Sequence, residues 1–352
     1  IITAISVFIV VIGLAFRAPL LSFIFGKVDA DVMENSMVYF FYTVLSYPFI
    51  ALYDAGASIF RAQENTRGPM VISIISNVMN IVGNGILIWV FHMGVAGAAI
   101  STLVSRIFCA VVVLYQLRKD RQPIVVRDYL KIRPDGKMIG RILALGIPSG
   151  IENSMFQLGK LAIQSTVSTL GTTAIAAQAM TNMLEMLNGT AVIGVGIGLM
   201  TVVGQSLGAG RKDEAVYYMK KLMAFSEVFL IVCCAVVYAL ARPITMIGGM
   251  ETKSAEMCLD MMFWITIVKP IVWMFAFIPA YGMRAAGDVK FSMITSCITM
   301  WTFRFCLCVY LIRVCGMGPM AVWIGMFTDW TVRAIVFGLR FKSGKWMEHK
   351  VV

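Results

Sequence analysis

Several ionisable side chains stand inside stretches of sequence that are otherwise apolar: Asp54, Glu152, Lys160, Glu185, Glu227, Asp260, Arg304, Asp329 and Arg333. Taking a charge out of water is costly unless the charge is paired, hydrogen-bonded or turned toward a watery space. Carboxylates in such surroundings are suited to binding and releasing a cation, a proton included. Glu152 follows Pro148 by four residues. A proline inside a helix releases a backbone carbonyl, which can also meet a cation or water. Glu185 and Asp54 are the next candidates of this kind. Asp329 and Arg333 are four apart, the spacing of neighbours on one helix face, and read as a structural ion pair.

Uncharged polar residues fall into stripes near these acids. Asn153, Gln157, Lys160 and Gln164 recur at helical spacing, as do Gln178, Asn182 and Glu185. At about 100° per residue each set lies on one face. The two stripes predict a shared wet cavity. Asn153, Gln157, Gln164, Gln178 and Asn182 are then the side chains that would touch whatever enters it. Ser73, Asn77, Asn80 and Asn84 form a third stripe, for which hydrogen bonding between helices is an equally good reading.

The elements that must position these residues are membrane helices. The chain has 352 residues, 59% hydrophobic and 14% charged, where a soluble domain carries about 25% charged residues. Apolar stretches long enough to cross a bilayer, about 20 residues, recur at 1–25, 35–60, 69–91, 95–117, 142–169, 174–206, 215–240, 256–283, 289–312 and 319–340. The expectation is an all-α integral membrane protein with about ten transmembrane helices. The net charge of +11 sits in short connections, which argues against a nucleic-acid partner and for the positive-inside rule. Arg61, Arg67, the basic stretch 118–141, Arg211, Lys212, Arg284, Lys290, Arg340 and Lys350 share one side, and Lys27, Asp29, Asp31, Glu34, Glu251 and Glu256 the other. The basic side, with the C-terminus, is expected in the cytoplasm of a multi-pass plasma-membrane protein. With His92 and His349 as its histidines and no C-x-x-C among eight cysteines, the sequence offers no metal site, and no cofactor is expected.

The chain also resembles itself. Arg61-Ala62-Gln63-Glu64-Asn65-Thr66-Arg67 precedes Met70 and Ser73, and Arg284-Ala285-Ala286-Gly287-Asp288-Val289-Lys290 precedes Met293 and Ser296 at the same spacing. Pro48 matches Pro270, and Met93-Gly94 matches Met317-Gly318, each within one residue. The repeat predicts an N-terminal lobe over 1–117 with four spans, a cytoplasmic linker over 118–141, and a C-terminal lobe over 142–352 with six. Ile1 then corresponds to the start of a third helix, and the expectation is a unit lacking its first two, roughly 80 residues. Parallel repeats of this kind carry their binding site between lobes near the midplane and work by alternating access.

Val203-Gly204-Gln205-Ser206-Leu207-Gly208-Ala209-Gly210, closing a glycine-rich span, resembles a signature of the MATE (multidrug and toxic compound extrusion) transporters. Ala176-Ala177-Gln178-Ala179-Met180, Arg61-Ala62-Gln63, Gly94-Val95-Ala96-Gly97-Ala98-Ala99-Ile100 and Gly146-Ile147-Pro148-Ser149-Gly150-Ile151-Glu152-Asn153 fit the same pattern. The resemblance covers the whole chain. It implies a two-lobed bundle of twelve helices of the MOP superfamily. Such a protein is an antiporter and not an enzyme, and couples H+ or Na+ entry to export of drugs and other small molecules, many of them cationic. In that setting Glu152, Glu185 and Asp54 are the cation-coupling candidates, and Asn153, Gln157, Gln164, Gln178 and Asn182 the substrate-binding ones. The working unit is expected to be a monomer whose partners are the lipid bilayer and the small-molecule substrate. The alternatives are a narrow-specificity metabolite exporter and a flippase for lipid-linked saccharides of the same superfamily. The flippase calls for a strongly cationic cavity, for which Lys160 and Arg304 alone are few.

Overall fold

A computed structural model describes residues 2–25, 30–119 and 135–348. Lys27, Asp29, His349, Lys350 and the basic residues of 120–134 lie outside the described residues. Two compact units divide at Asp135 and Gly136, inside the stretch 118–141.

The described residues are helical nearly throughout and contain no strand. The first unit holds α1 (Ile2–Ala15), α2 (Arg17–Phe25), α3 (Ala30–Leu45), α4 (Tyr47–Ala62), α5 (Arg67–Gly85, running into a π-helical turn Ile86–Val90) and α6 (Gly94–Leu117). The second holds α7 (Gly136–Val167), α8 (Thr172–Gly208), α9 (Lys212–Ile247), α10 (Thr252–Ala285), α11 (Val289–Thr299), a π-helical stretch Met300–Cys306, α12 (Leu307–Arg313) and α13 (Met320–Lys342). Every apolar stretch of the sequence is helical. Among the described residues, eight spans are long and apolar enough to cross a membrane. The other two stretches differ for local reasons. Residues 1–25 form two short helices that meet at Phe16, and α7 carries a row of polar side chains along its 32 residues.

The outward faces explain why this is a membrane protein. The most apolar window of α9 has a mean hydropathy of 2.3, yet 17% of it is buried. Phe8, Trp89, Ile247 and Leu339 are all exposed. Water would not tolerate so much contiguous apolar surface, whereas a hydrocarbon solvent requires it.

In the first unit α6 is the hub, packed by α3, α4 and α5. Phe60, Ile72, Val113 and Leu117 form its core. The asparagine stripe faces this packing: the Asn80 amide donates to Thr102 Oγ1 at 3.2 Å, and Ser101 Oγ donates to the Asn80 carbonyl at 3.0 Å. Helix-to-helix hydrogen bonding therefore accounts for Asn80. In the second unit α10 packs on α8, α9 and α13. Leu184, Val192 and Leu199 of α8 meet Ile265, Ala276 and Ile278 of α10 and Trp323 and Trp330 of α13 in one core. Gly189 and Gly196 let α10 come close, since added methyl groups there would lie 3.1 Å from Lys269 Nζ and 2.7 Å from the Tyr281 ring. Gly194, Gly198 and Gly204 have no such neighbour.

The internal repeat reaches backbone detail. Glu64 and Gly287, equivalent in the two copies, both adopt left-handed conformations with φ of 64° and 86°. Around them Asn65 N–H donates to the Phe60 carbonyl at 3.0 Å and Asp288 N–H to the Met283 carbonyl at 2.9 Å. This is the same helix-ending motif twice. Downstream, Met93 N–H donates to Leu87 and Met317 N–H to Leu311, both at 3.0 Å.

Candidate functional site

In the second unit α7, α8, α10, α13 and the π-helical stretch surround two adjoining cavities of about 380 and 470 Å³. Gln157, Lys160, Glu185, Met186, Arg304 and Met326 line both. The sequence periodicity explains why: the polar rows of α7 and α8 point the same way. Glu152 and Asn153 face the first cavity, and Gln164, Gln178 and Asn182 the second. Asp54, on α4 of the other unit, is exposed and lines neither.

Each carboxylate of this region is claimed by a base. Glu152 Oε1 accepts from Arg284 at 2.7 Å, and Ser292 Oγ donates to Oε2 at 3.4 Å. The base that neutralises Glu152 is thus Arg284, from the repeated loop motif. Glu185 accepts from Lys269 at 2.5 Å. The lysine also donates to the Glu185 carbonyl at 3.0 Å and to the side chain of Asn188. Asp329 and Arg333 pair at 2.7 Å, as their spacing predicts, and Arg333 donates twice more, to Ser296 Oγ at 3.1 Å and the Ser296 carbonyl at 3.0 Å.

Lys269 is fully buried and lies inside an apolar stretch immediately before Pro270, yet it is missing from the sequence-derived candidates. Its signal was visible as a charge in mid-span. What the sequence did not display is its partner, 84 residues away. Pro270 deprives the Thr266 carbonyl of its helical donor, and Pro148 does the same for Ala144 near Glu152. Both acid–base pairs therefore join α10 to a neighbour near a proline interruption.

Other candidates are already occupied. The Gln178 carbonyl accepts from Trp323 Nε1 at 3.1 Å while its amide donates to Asn182 at 3.2 Å. The Asn153 amide donates to the Ser149 carbonyl at 2.9 Å. Gln157 and Gln164 are exposed on α7; Gln157 lines both cavities and Gln164 the second.

Around Phe156 three cations gather: Lys160 Nζ and the Arg304 guanidinium are each 5.1 Å from the ring centroid, and Arg333 is 5.7 Å away. The face of an aromatic ring attracts cations and lets like charges share a small volume. Arg304 sits on the π-helical stretch, and such bulges recur at functional sites.

Membrane-spanning helices with apolar outer surfaces, and in the second unit a charged cavity, define a polytopic membrane protein. The MatE family profile matches residues 1–86 and 148–310, and the chain belongs to that family, the MATE multidrug efflux transporters, which are not enzymes. It is 25% identical over 343 residues to a probable multidrug resistance protein NorM of Thermotoga maritima, covering 94% of this chain and 71% of that one. It is 26% identical over 346 residues to the uncharacterized transporter YisQ of Bacillus subtilis, covering 95% and 73%. Among solved structures, a MATE protein in complex with MaL6 aligns with a TM-score of 0.87 at 17% identity, covering 97% of this chain and 77% of that chain. An outward-facing multidrug resistance MATE transporter of the MOP superfamily aligns with 0.86 at 18%, covering 98% and 78%. At these identities the structural likeness speaks for the fold.

Proposed function

We propose that this protein exports small organic molecules across the plasma membrane by alternating access between two lobes, residues 1–117 and 142–352, in exchange for an incoming cation. The observation that carries the reading is the pair of clasps on α10, Glu185 with Lys269 and Glu152 with Arg284, both beside the cavities. A proton suits such a clasp. It neutralises the carboxylate and lets the base go, so that α8 or α7 can shift against α10. A sodium ion would have to settle beside a resident positive charge, which costs energy in a low-dielectric site. Asp54 is a third coupling candidate, in the other unit. Gln157 and Gln164, with their amides uncommitted, are the first substrate contacts of the sequence-derived set; Asn153, Gln178 and Asn182 shape the wall beside them. The protein works as a monomer, with its C-terminus in the cytoplasm.

The test is efflux of fluorescent organic ions of both signs from pump-deficient bacteria expressing the protein, with the proton and sodium gradients collapsed in turn. Export that stops when the proton gradient is removed, and falls at least roughly tenfold in the Glu152→Gln/Glu185→Gln double variant at equal membrane levels, is expected, since one lost charge-assisted contact is worth about that factor. Wild-type export by the double variant would remove the clasps from the mechanism.

A further inference from the structure

The charges that face the first cavity do not balance. Lys160, Arg284, Arg304 and Arg333 stand against Glu152 and Glu185, an excess of two positive charges. Counting the partners behind the wall, Lys269 and Asp329, leaves the excess unchanged. Pairing assigns the surplus to particular atoms. Glu152 is held by Arg284, Glu185 by Lys269 and Asp329 by Arg333. Lys160 has no carboxylate and no hydrogen-bond partner among the described residues, and rests against Phe156. Arg304 is 6% exposed, its Nε has no partner, and its nearest carboxylate, Asp329, is 4.0 Å away. A buried guanidinium with an unmatched donor beside a bare ammonium is an incomplete site, because both groups have donors and no acceptors.

We infer that Lys160 and Arg304 form a binding site for the acidic group of a soluble organic anion (a carboxylate, sulfonate or phosphate), with Gln157 and Gln164 as neutral donors beside it. The aromatic and thioether wall of Phe156, Trp330, Met186 and Met326 takes the apolar part of the same molecule. An isolated cation meets a positive wall here and gains nothing from it. That the anion is cargo rests on the export reading above; that it binds does not. As cargo, an anion leaving a cell whose interior is negative is also pushed outward by the membrane potential.

The experiment is equilibrium dialysis of the purified protein in zwitterionic nanodiscs against two probes with the same ring and opposite charge, 2-naphthalenesulfonate and 2-naphthylmethylammonium. The sulfonate is expected to bind at least roughly tenfold more tightly, a margin that one charge-assisted contact supplies. Lys160→Gln should weaken its binding by a similar factor, and Lys160→Arg should restore it. Lys160 is exposed on α7, so these variants leave the packing intact. Equal or better binding of the ammonium overturns the inference, as does an unchanged sulfonate affinity in Lys160→Gln or the absence of any binding. Retention of phosphatidylglycerol by the protein in discs that contain it, with no binding of the soluble sulfonate, also overturns it, in favour of a lipid headgroup. Dialysis requires no transport. Gradient-driven dye export without sulfonate binding would leave the export reading standing and remove this one.

Discussion

Lys269 on α10 and Glu185 on α8 form an ion pair in which the lysine has no exposed side-chain surface and the glutamate keeps 21% of its own. The two helices are thereby tied through both the carboxylate and the backbone carbonyl of Glu185. Removing one partner of such a pair strands the other charge, whereas removing both restores neutrality. Lys269→Met is therefore expected to destabilise the protein by roughly 3 kcal/mol, the low end of the range for a broken buried pair because Glu185 remains partly open. Adding Glu185→Gln should recover most of that loss. Thermal melting of the two single variants and the double variant in detergent measures the coupling, and a purely additive cycle would show that the pair contributes nothing.

Arg284 reaches Glu152 through one guanidinium nitrogen at 2.7 Å. A single contact does not exploit the two-pronged geometry that separates arginine from lysine. Arg284→Lys should keep more than half of the export rate, while Arg284→Gln should lose about tenfold or more, the worth of one contact to a charged group. Equal loss in both variants would mean that the shape of the guanidinium matters, and not its charge.

A methyl group at Gly325 would lie 2.9 Å from the Arg304 carbonyl oxygen, against backbone that cannot step aside. Gly194 of α8 has open space instead. Gly325→Ala should cost about 1–3 kcal/mol through overpacking and weaken sulfonate binding by shifting the π-helical stretch that carries Arg304. Gly194→Ala should melt no lower than the parent protein. Comparing melting temperatures and dialysis constants for the two alanine variants separates a packing requirement from a general intolerance of alanine in these helices.

Glu64 holds the left-handed position that glycine holds in the second copy of the repeat, at φ of 64° against 86° for Gly287. A side chain there costs about 1 kcal/mol more than glycine. Glu64→Gly should accordingly raise stability slightly, and Gly287→Ala should lower it by about the same amount. Melting curves showing a loss in both variants would mean that the Glu64 side chain contributes more than its backbone strain costs.

Glu227 on α9 has one carboxylate oxygen, Oε2, buried without a partner, in a pocket lined by Met223, Met274, Phe275 and Pro279. An unmatched buried polar atom costs about 1–3 kcal/mol. Glu227→Met should raise the melting temperature, and unchanged export would mark the acid as dispensable for transport. A stabilised variant that no longer exports would instead bring Glu227 into the coupling machinery.

The sequence by itself determined the solvent and the elements. Apolar runs of membrane-spanning length, charges gathered in the connections and the paired motifs around Arg61 and Arg284 are local or periodic signals, so ten helical stretches and the family could be read from one chain. Asp329 with Arg333 was legible for the same reason, because four residues is one helical turn. The two polar stripes foretold that α7 and α8 line a common cavity, since helical period alone aligns their side chains. What tertiary structure decided is which acid meets which base. Glu152 and Arg284 are 132 residues apart, and Glu185 and Lys269 are 84 apart. The second meeting depends on how close α10 comes to α8, which Gly189 and Gly196 permit and no hydropathy pattern encodes. Once the acids are matched, Lys160 and Arg304 are left over. The sign of the cavity is therefore a property of the packing, because a net charge at one place is a difference between residues that only the fold brings together.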